Sequence, residues 1–229
     1  MRILIIIGAL ALLVPSIGQA KKFKAAGSKD ISLLKSVEGK YQKGQGIIAE
    51  LKRTVSLKAL GTSREAVGKV HINNGKMHLA MRGSVKEKVI VDGQWIWMFS
   101  PSPKEFKNAK PQVFKASMKS KQARSQGLLK ILTKGQILKH FSVSSVEDLS
   151  KSRKGFWLQP GKSSREFTSA RIIVSDRSKQ ITELSFWDNR GNQTTYKFLK
   201  TKFRQKIGKE KFIFTPPPNA EIISGNDNV

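Results

Sequence analysis

The sequence predicts a mainly β protein with a few short helices, and three observations carry that prediction. Ile47, Ala49, Leu51, Val55 and Leu57 recur at every second position, broken only by Arg53, which is the period of a strand with one buried face. Asn74-Gly75 is the preferred pair for a two-residue hairpin turn, because both positions need positive φ. The stretch KVIVDGQWIWMFSP (Lys88–Pro101) sets two apolar runs on either side of Asp92-Gly93-Gln94, a strand–turn–strand pattern.

The first residues concern location. Arg2 is followed by the apolar run ILIIIGALALLV, and small residues stand at Gly18 and Ala20 before Lys21-Lys22. A short basic start, an apolar core and small residues near its end describe a secretory signal peptide. The run is about half of the roughly 20 apolar residues that a spanning helix needs. The expectation is cleavage after Ala20, one domain over residues 21–223 and a flexible tail over 224–229. The chain has no cysteine, which excludes disulfides, thiolate metal sites, cysteine nucleophiles and a lipid anchor on an N-terminal cysteine.

The formal charge is +27, and +26 once Arg2 is removed. Lys104 to Lys134 holds nine Lys/Arg against one acid, Glu105. Such a field attracts anionic membrane surfaces, acidic proteins or nucleic acid. Nucleic acid is the poorest fit, because the basic segment offers only Phe106 and Phe114 for base stacking.

Along the chain, Asp30 can cap a helix whose apolar positions are Ile31, Leu34, Val37 and Tyr41, ending at Gly44 and Gly46. Taking Asn74-Gly75 as the turn, Asn73 faces Lys76, Ile72 faces Met77, Val70 faces Leu79, His71 faces His78 and Lys69 faces Ala80. One face is then apolar and the other mostly polar, so turn and pattern agree. Trp95, Trp97 and Phe99 point to one face of the next strand and Ile96 and Met98 to the other, so both faces need cover. Residues 104–127 form a long, weakly patterned basic segment, followed by short helices at Gly127–Leu132 and Ile137–Phe141; such a connection in a β protein reads as a lid. Strands resume at Gly155–Gln159, Ala170–Ser175, Ile181–Asp188 and Thr194–Phe203, and a final one is expected at Lys211–Thr215 before three prolines.

No catalytic constellation emerges. His71 and His78 supply two ligands where zinc needs three or four, and His140 stands alone beside Phe141. There is no Gly-x-Ser-x-Gly elbow. Gly155–Ser163 is a near miss to a phosphate-binding loop, one residue too long and not opening a helix. Nothing here assembles an enzyme active site, and no metal or cofactor is expected; the apolar surface by itself reads as an ordinary core.

LLKSVEGKY (Leu33–Tyr41), GKVHI (Gly68–Ile72), GKM (Gly75–Met77), VIVDGQWIWMFSP (Val89–Pro101), FWLQP (Phe156–Pro160), ITELSFWDNRGNQTTYKF (Ile181–Phe198) and FIFTPPPNAEII (Phe212–Ile223) follow one another in order. Together they resemble the periplasmic outer-membrane lipoprotein carriers, the LolA-like family. The resemblance implies an unclosed antiparallel β-barrel, or half-barrel, covered by a helical lid. It implies a hydrophobic cavity for lipoprotein acyl chains, lined by Val70, Ile72, Met77, Leu79, Trp95, Trp97 and Phe99 and covered by Leu34, Val37, Leu128, Leu129 and Leu132.

The implied partners are an inner-membrane ABC-type lipoprotein release complex and an outer-membrane acceptor lipoprotein, with the carrier a soluble periplasmic monomer. A lipid- or glycolipid-binding or lipid-sensing protein on the same fold is the alternative. The sequence departs from the family after GKVHI. There many members carry an arginine followed by proline, and in the best-known carriers that arginine bonds to the lid. Here the segment reads Asn73-Asn74-Gly75. Ala220 replaces the usual glycine after the closing prolines.

Overall fold

The computed structural model describes residues 23–43, 46–83, 86–102, 108–120, 131–133, 135–161 and 167–225. The signal-peptide segment, Leu128 and Leu129 lie outside the described residues. Thirteen strands form one sheet: β1 (Phe23–Lys24), β2 (Ile47–Leu57), β3 (Thr62–Asn73), β4 (Lys76–Gly83), β5 (Glu87–Val91), β6 (Trp95–Ser100), β7 (Gln112–Ser117), β8 (Phe141–Ser150), β9 (Arg153–Pro160), β10 (Ser169–Ser175), β11 (Gln180–Trp187), β12 (Gln193–Lys202) and β13 (Glu221–Gly225). Their order across the sheet is β1-β8-β9-β10-β11-β12-β2-β3-β4-β5-β6-β7-β13. The terminal strands β1 and β13 do not pair, so the sheet is an unclosed barrel. Among the described residues every pairing is antiparallel except β13 with β7.

The hairpin register is the one that the turn predicts. Asn74 has φ 47° and Gly75 φ 77°, and Ile72 faces Met77, Val70 faces Leu79 and His71 faces His78. Directly opposed residues share a face, so the inner surface can be traced across the ladder. One row runs Ile47, Ile72, Met77, Val91, Ile96. A second runs Ala49, Val70, Leu79, Val89, Met98. In the other half, Val146, Phe156, Ile172, Leu184 and Tyr196 lie in a row that ends on Arg53. Apart from Met98, which packs on it, and Arg53, these residues join one buried cluster. The sheet therefore curls around a single aliphatic interior.

Helix α1 (Ser28–Gln42) covers that interior with Leu33, Leu34, Val37 and Tyr41. Its N-cap is Gly27 rather than Asp30. Asp30 sits three residues into the helix, and its carboxylate accepts the Gly27 N–H at 3.1 Å. The helical residues 131–133 and the one-turn helix α2 (Ile137–His140) add Ile131, Leu132 and Ile137 to the same cluster.

Three local expectations are corrected. The basic segment contains strand β7, whose Val113 and Ala116 are buried. Strand β8 occupies 141–150, where alternation is obscured by breaks in its pairing with β9. Lys211–Thr215 is not a strand: Lys209–Phe212 is a 3-10 turn, and the last strand is β13, which reaches Gly225 and so includes the first residues assigned to the tail.

Candidate functional site

The candidate site is the interior between α1 and the curled sheet. Val70, Ile72, Met77 and Leu79 are at most 4% exposed and belong to one cluster with Leu34, Val37 and Leu132. Four of the expected lining residues and three of the expected covering residues are thus brought together.

Trp95, Trp97 and Phe99 do not share that face. Trp97 stands opposite Ile90 on β5 and Lys115 on β7, in the row that continues to His78 and His71. This is the outer row, one residue out of phase with Ile96. Trp157 and Trp187 are also on the outer face, stacked with ring centroids 5.0 Å apart, because Trp157 lies in the row of Arg171, Ser185 and Thr195. The motif Trp95–Phe99 resembles a lining because both of its faces are apolar, and period alone does not say which face is inside. Its cover is the C-terminal segment: the Phe214 ring lies 5.7 Å from that of Trp97 and 6.0 Å from that of Phe99, while Lys115 Nζ sits 4.0 Å from the Trp95 ring centroid.

The helix is held by polar contacts at both ends. At its N-terminus Lys154 on β9 bonds to the Asp30 carboxylate. Burial alone would raise the Asp30 carboxyl, but the bonds from Lys154 and the Gly27 N–H outweigh it and hold it below the usual range. At the C-terminus the Tyr41 hydroxyl accepts the Ile181 N–H at 3.3 Å. Lys40 Nζ donates to the Ser178 carbonyl at 2.8 Å. Glu38 accepts the N–H of Leu138 at 2.7 Å, tying α1 to α2. Burial pushes the Tyr41 phenol well up, so it stays neutral.

Arg53, the residue that breaks the alternation of β2, faces inward beside Tyr196 and pairs with Glu87. A cation in an apolar row is tolerated because it is paired. The interruption at Arg53 is the one visible signal of this contact in the sequence. The partners of α1 are far from it along the chain, and no spacing rule connects Asp30 with Lys154. Among the described residues no group of three or more His, Cys, Asp or Glu comes together to hold a metal, and no helix is long and apolar enough to cross a membrane.

A family model described as outer membrane lipoprotein carrier protein LolA matches residues 42–215. The chain belongs to the LolA family. Comparison with curated proteins returns no match. Among solved structures, an uncharacterized conserved protein from Thermus thermophilus superposes with a TM-score of 0.51 at 10% identity, covering 86% of this chain and 99% of that one; it shares the fold. A LolA superfamily protein from Nitrosomonas europaea has a TM-score of 0.43 at 10% identity, with 80% and 97% covered. The MucA/MucB complex of Pseudomonas aeruginosa has 0.39 at 8% identity, with 80% and 60% covered.

Proposed function

We propose that this protein is a periplasmic lipoprotein carrier that accepts acyl chains between α1 and the inner face of the half-barrel. Val70, Ile72, Met77 and Leu79 would contact the chains, and Leu34, Val37 and Leu132 would close over them. Cargo would come from an inner-membrane ABC-type release complex and pass to an outer-membrane acceptor lipoprotein. No covalent step is required of the carrier. A cleaved signal peptide and a monomeric state belong to the same proposal.

The observation that carries it is an aliphatic half-barrel whose interior is covered by α1, with Ile131, Leu132 and Ile137 beside it. Four apolar side chains of α1 are buried, and at about 1.5–3 kcal/mol each they contribute on the order of 6–12 kcal/mol. An acyl chain of ~16 carbons gains about 0.8 kcal/mol per CH₂ taken from water, again on the order of 10 kcal/mol. Exchange of helix for lipid is therefore near balance, as a carrier that must both load and unload requires.

The test is native mass spectrometry with lipid extraction on protein taken from the periplasm of its own host. Triacylated protein or peptide on the wild type supports the proposal. Phospholipid or glycolipid alone moves the function to lipid binding, and an empty protein overturns it. Placement of the site is tested separately. Spin labels at Lys35→Cys on α1 and Lys197→Cys on the outer face of β12 should move apart when acyl ligand is added, and an unchanged distance would remove α1 as the lid.

A further inference from the structure

A cavity of about 470 Å³ lies on the outer face of β3–β6, away from the interior. Its floor includes Ala80, Phe99 and Pro101. Five cationic side chains surround it: Lys69 on β3, Arg82 on β4, Lys86 and Lys88 around the start of β5, and Lys211 on the C-terminal 3-10 turn. Among the described residues that line it, the one carboxylate is Glu87, and that is committed to Arg53.

Two histidines complete the wall. His71 and His78 are directly opposed, with ring centroids 5.9 Å apart and planes 20° from parallel. The Nδ1 atoms of both rings are buried and without a hydrogen-bond partner. Burial, with Lys211 and Lys69 nearby, lowers the His71 ring's affinity for a proton, outweighing a bond to the His78 backbone that favours the charged form. Burial, Lys211, His71 and Lys88 push His78 down to about 4. Five gathered cations repel one another, and that deficit calls for a ligand of multiple negative charge that accepts several hydrogen bonds. The volume is in the range of small-molecule sites.

We propose that this outer-face pocket binds a phosphate-bearing ligand. The phosphate sits among Lys69, Lys88 and Lys211 with His71 and His78 as further donors, and the apolar or planar remainder lies against Phe99 and Pro101. A dianion beside the imidazoles favours their protonated form, so binding takes up protons and the two histidines titrate at higher pH when the site is filled. The proposal is independent of acyl-chain carriage, because the pocket opens on the opposite face of the sheet.

The chain has three histidines, so imidazole NMR resolves the pair against His140 as an internal control. Pyrophosphate is titrated into the full protein, and in parallel the protein is mixed with phosphatidylcholine vesicles with and without phosphatidic acid. The expected result is movement of the His71 and His78 signals, a rise in their titration midpoints, and at least tenfold weaker binding in Lys88→Gln/Lys211→Gln. Both positions are exposed, so this variant should fold. Response to pyrophosphate identifies a soluble phosphate compound as sufficient; response to phosphatidic acid vesicles alone identifies a lipid headgroup as the source. Silence of both histidines to both probes overturns the proposal. So does an equal loss of affinity in the charge-matched Lys197→Gln/Lys202→Gln control on β12, which would mark a general field effect.

Discussion

Trp97 Nε1 donates to the Asp92 carboxylate at 2.9 Å, and the other oxygen of that carboxylate accepts the N–H groups of Gln94 and Trp95 at 2.8 and 2.7 Å. One side chain thus folds the β5–β6 turn and fixes the rotamer of an outer-face tryptophan. Asp92→Ala leaves these donors without their acceptor. It should cost about 1–3 kcal/mol, read as a lower urea midpoint at unchanged slope. These bonds outweigh burial and hold the Asp92 carboxyl below its usual range. Its contribution is therefore present above about pH 4 and fades as pH falls through the folded-state value.

Trp97 also separates two readings of the aromatic strand. Because it lies on the outer face against Phe214, Trp97→Ala should lower stability while leaving acyl-ligand affinity within about twofold. A loss of affinity beyond tenfold would return this strand to the lining.

Leu34 is fully buried between α1 and the sheet. Leu34→Ala should destabilise the empty protein by about 2–5 kcal/mol, the range for a leucine cavity. The same change should favour loading, because it weakens helix seating more than lipid contact. Denaturant melts with and without a fatty-acyl peptide give both numbers.

Asp30 and Lys154 form the N-terminal latch of α1. The double change Asp30→Asn/Lys154→Gln avoids leaving one charge stranded. It should raise amide exchange across α1 about tenfold, equivalent to about 1.4 kcal/mol, with little change in β9. Uniform acceleration throughout the sheet would show a global rather than a local effect.

His78 is held neutral, at about 4, by burial, Lys211, His71 and Lys88. The unfolded chain binds this proton near pH 6.5 and the folded chain does not. Stability should therefore fall as pH drops from about 6.5 towards 4. In His78→Gln the slope of stability against pH in that window should flatten, as measured by thermal melts across it.

The parts of the fold governed by local chemistry are legible in the residues. Asn74-Gly75 sets a turn type, and the turn sets a register that the ladder reproduces pair by pair. Helix α1 and the strands from β9 to β12 follow from period. The failures have one cause: partners distant in sequence. Val113 and Ala116 make a strand only because β6 and β13 flank them, and a basic segment hides that. Phe212 and Phe214 have strand period, yet they cross the outer face as cover. The tryptophan strand shows that both faces are apolar, but not which encloses the core. The contact from Asp30 to Lys154 spans 124 positions, so spacing along the chain does not reveal it.

The missing pairing between β1 and β13 has a mechanical consequence. In a closed barrel the circumference is fixed by strand number and shear, and enlarging it means breaking a backbone ladder. An open curl has no such hoop. Its radius can grow by flattening, with every strand still bonded to its neighbours, against side-chain packing and the polar contacts that seat α1. Such a curl can widen without the loss of a backbone bond.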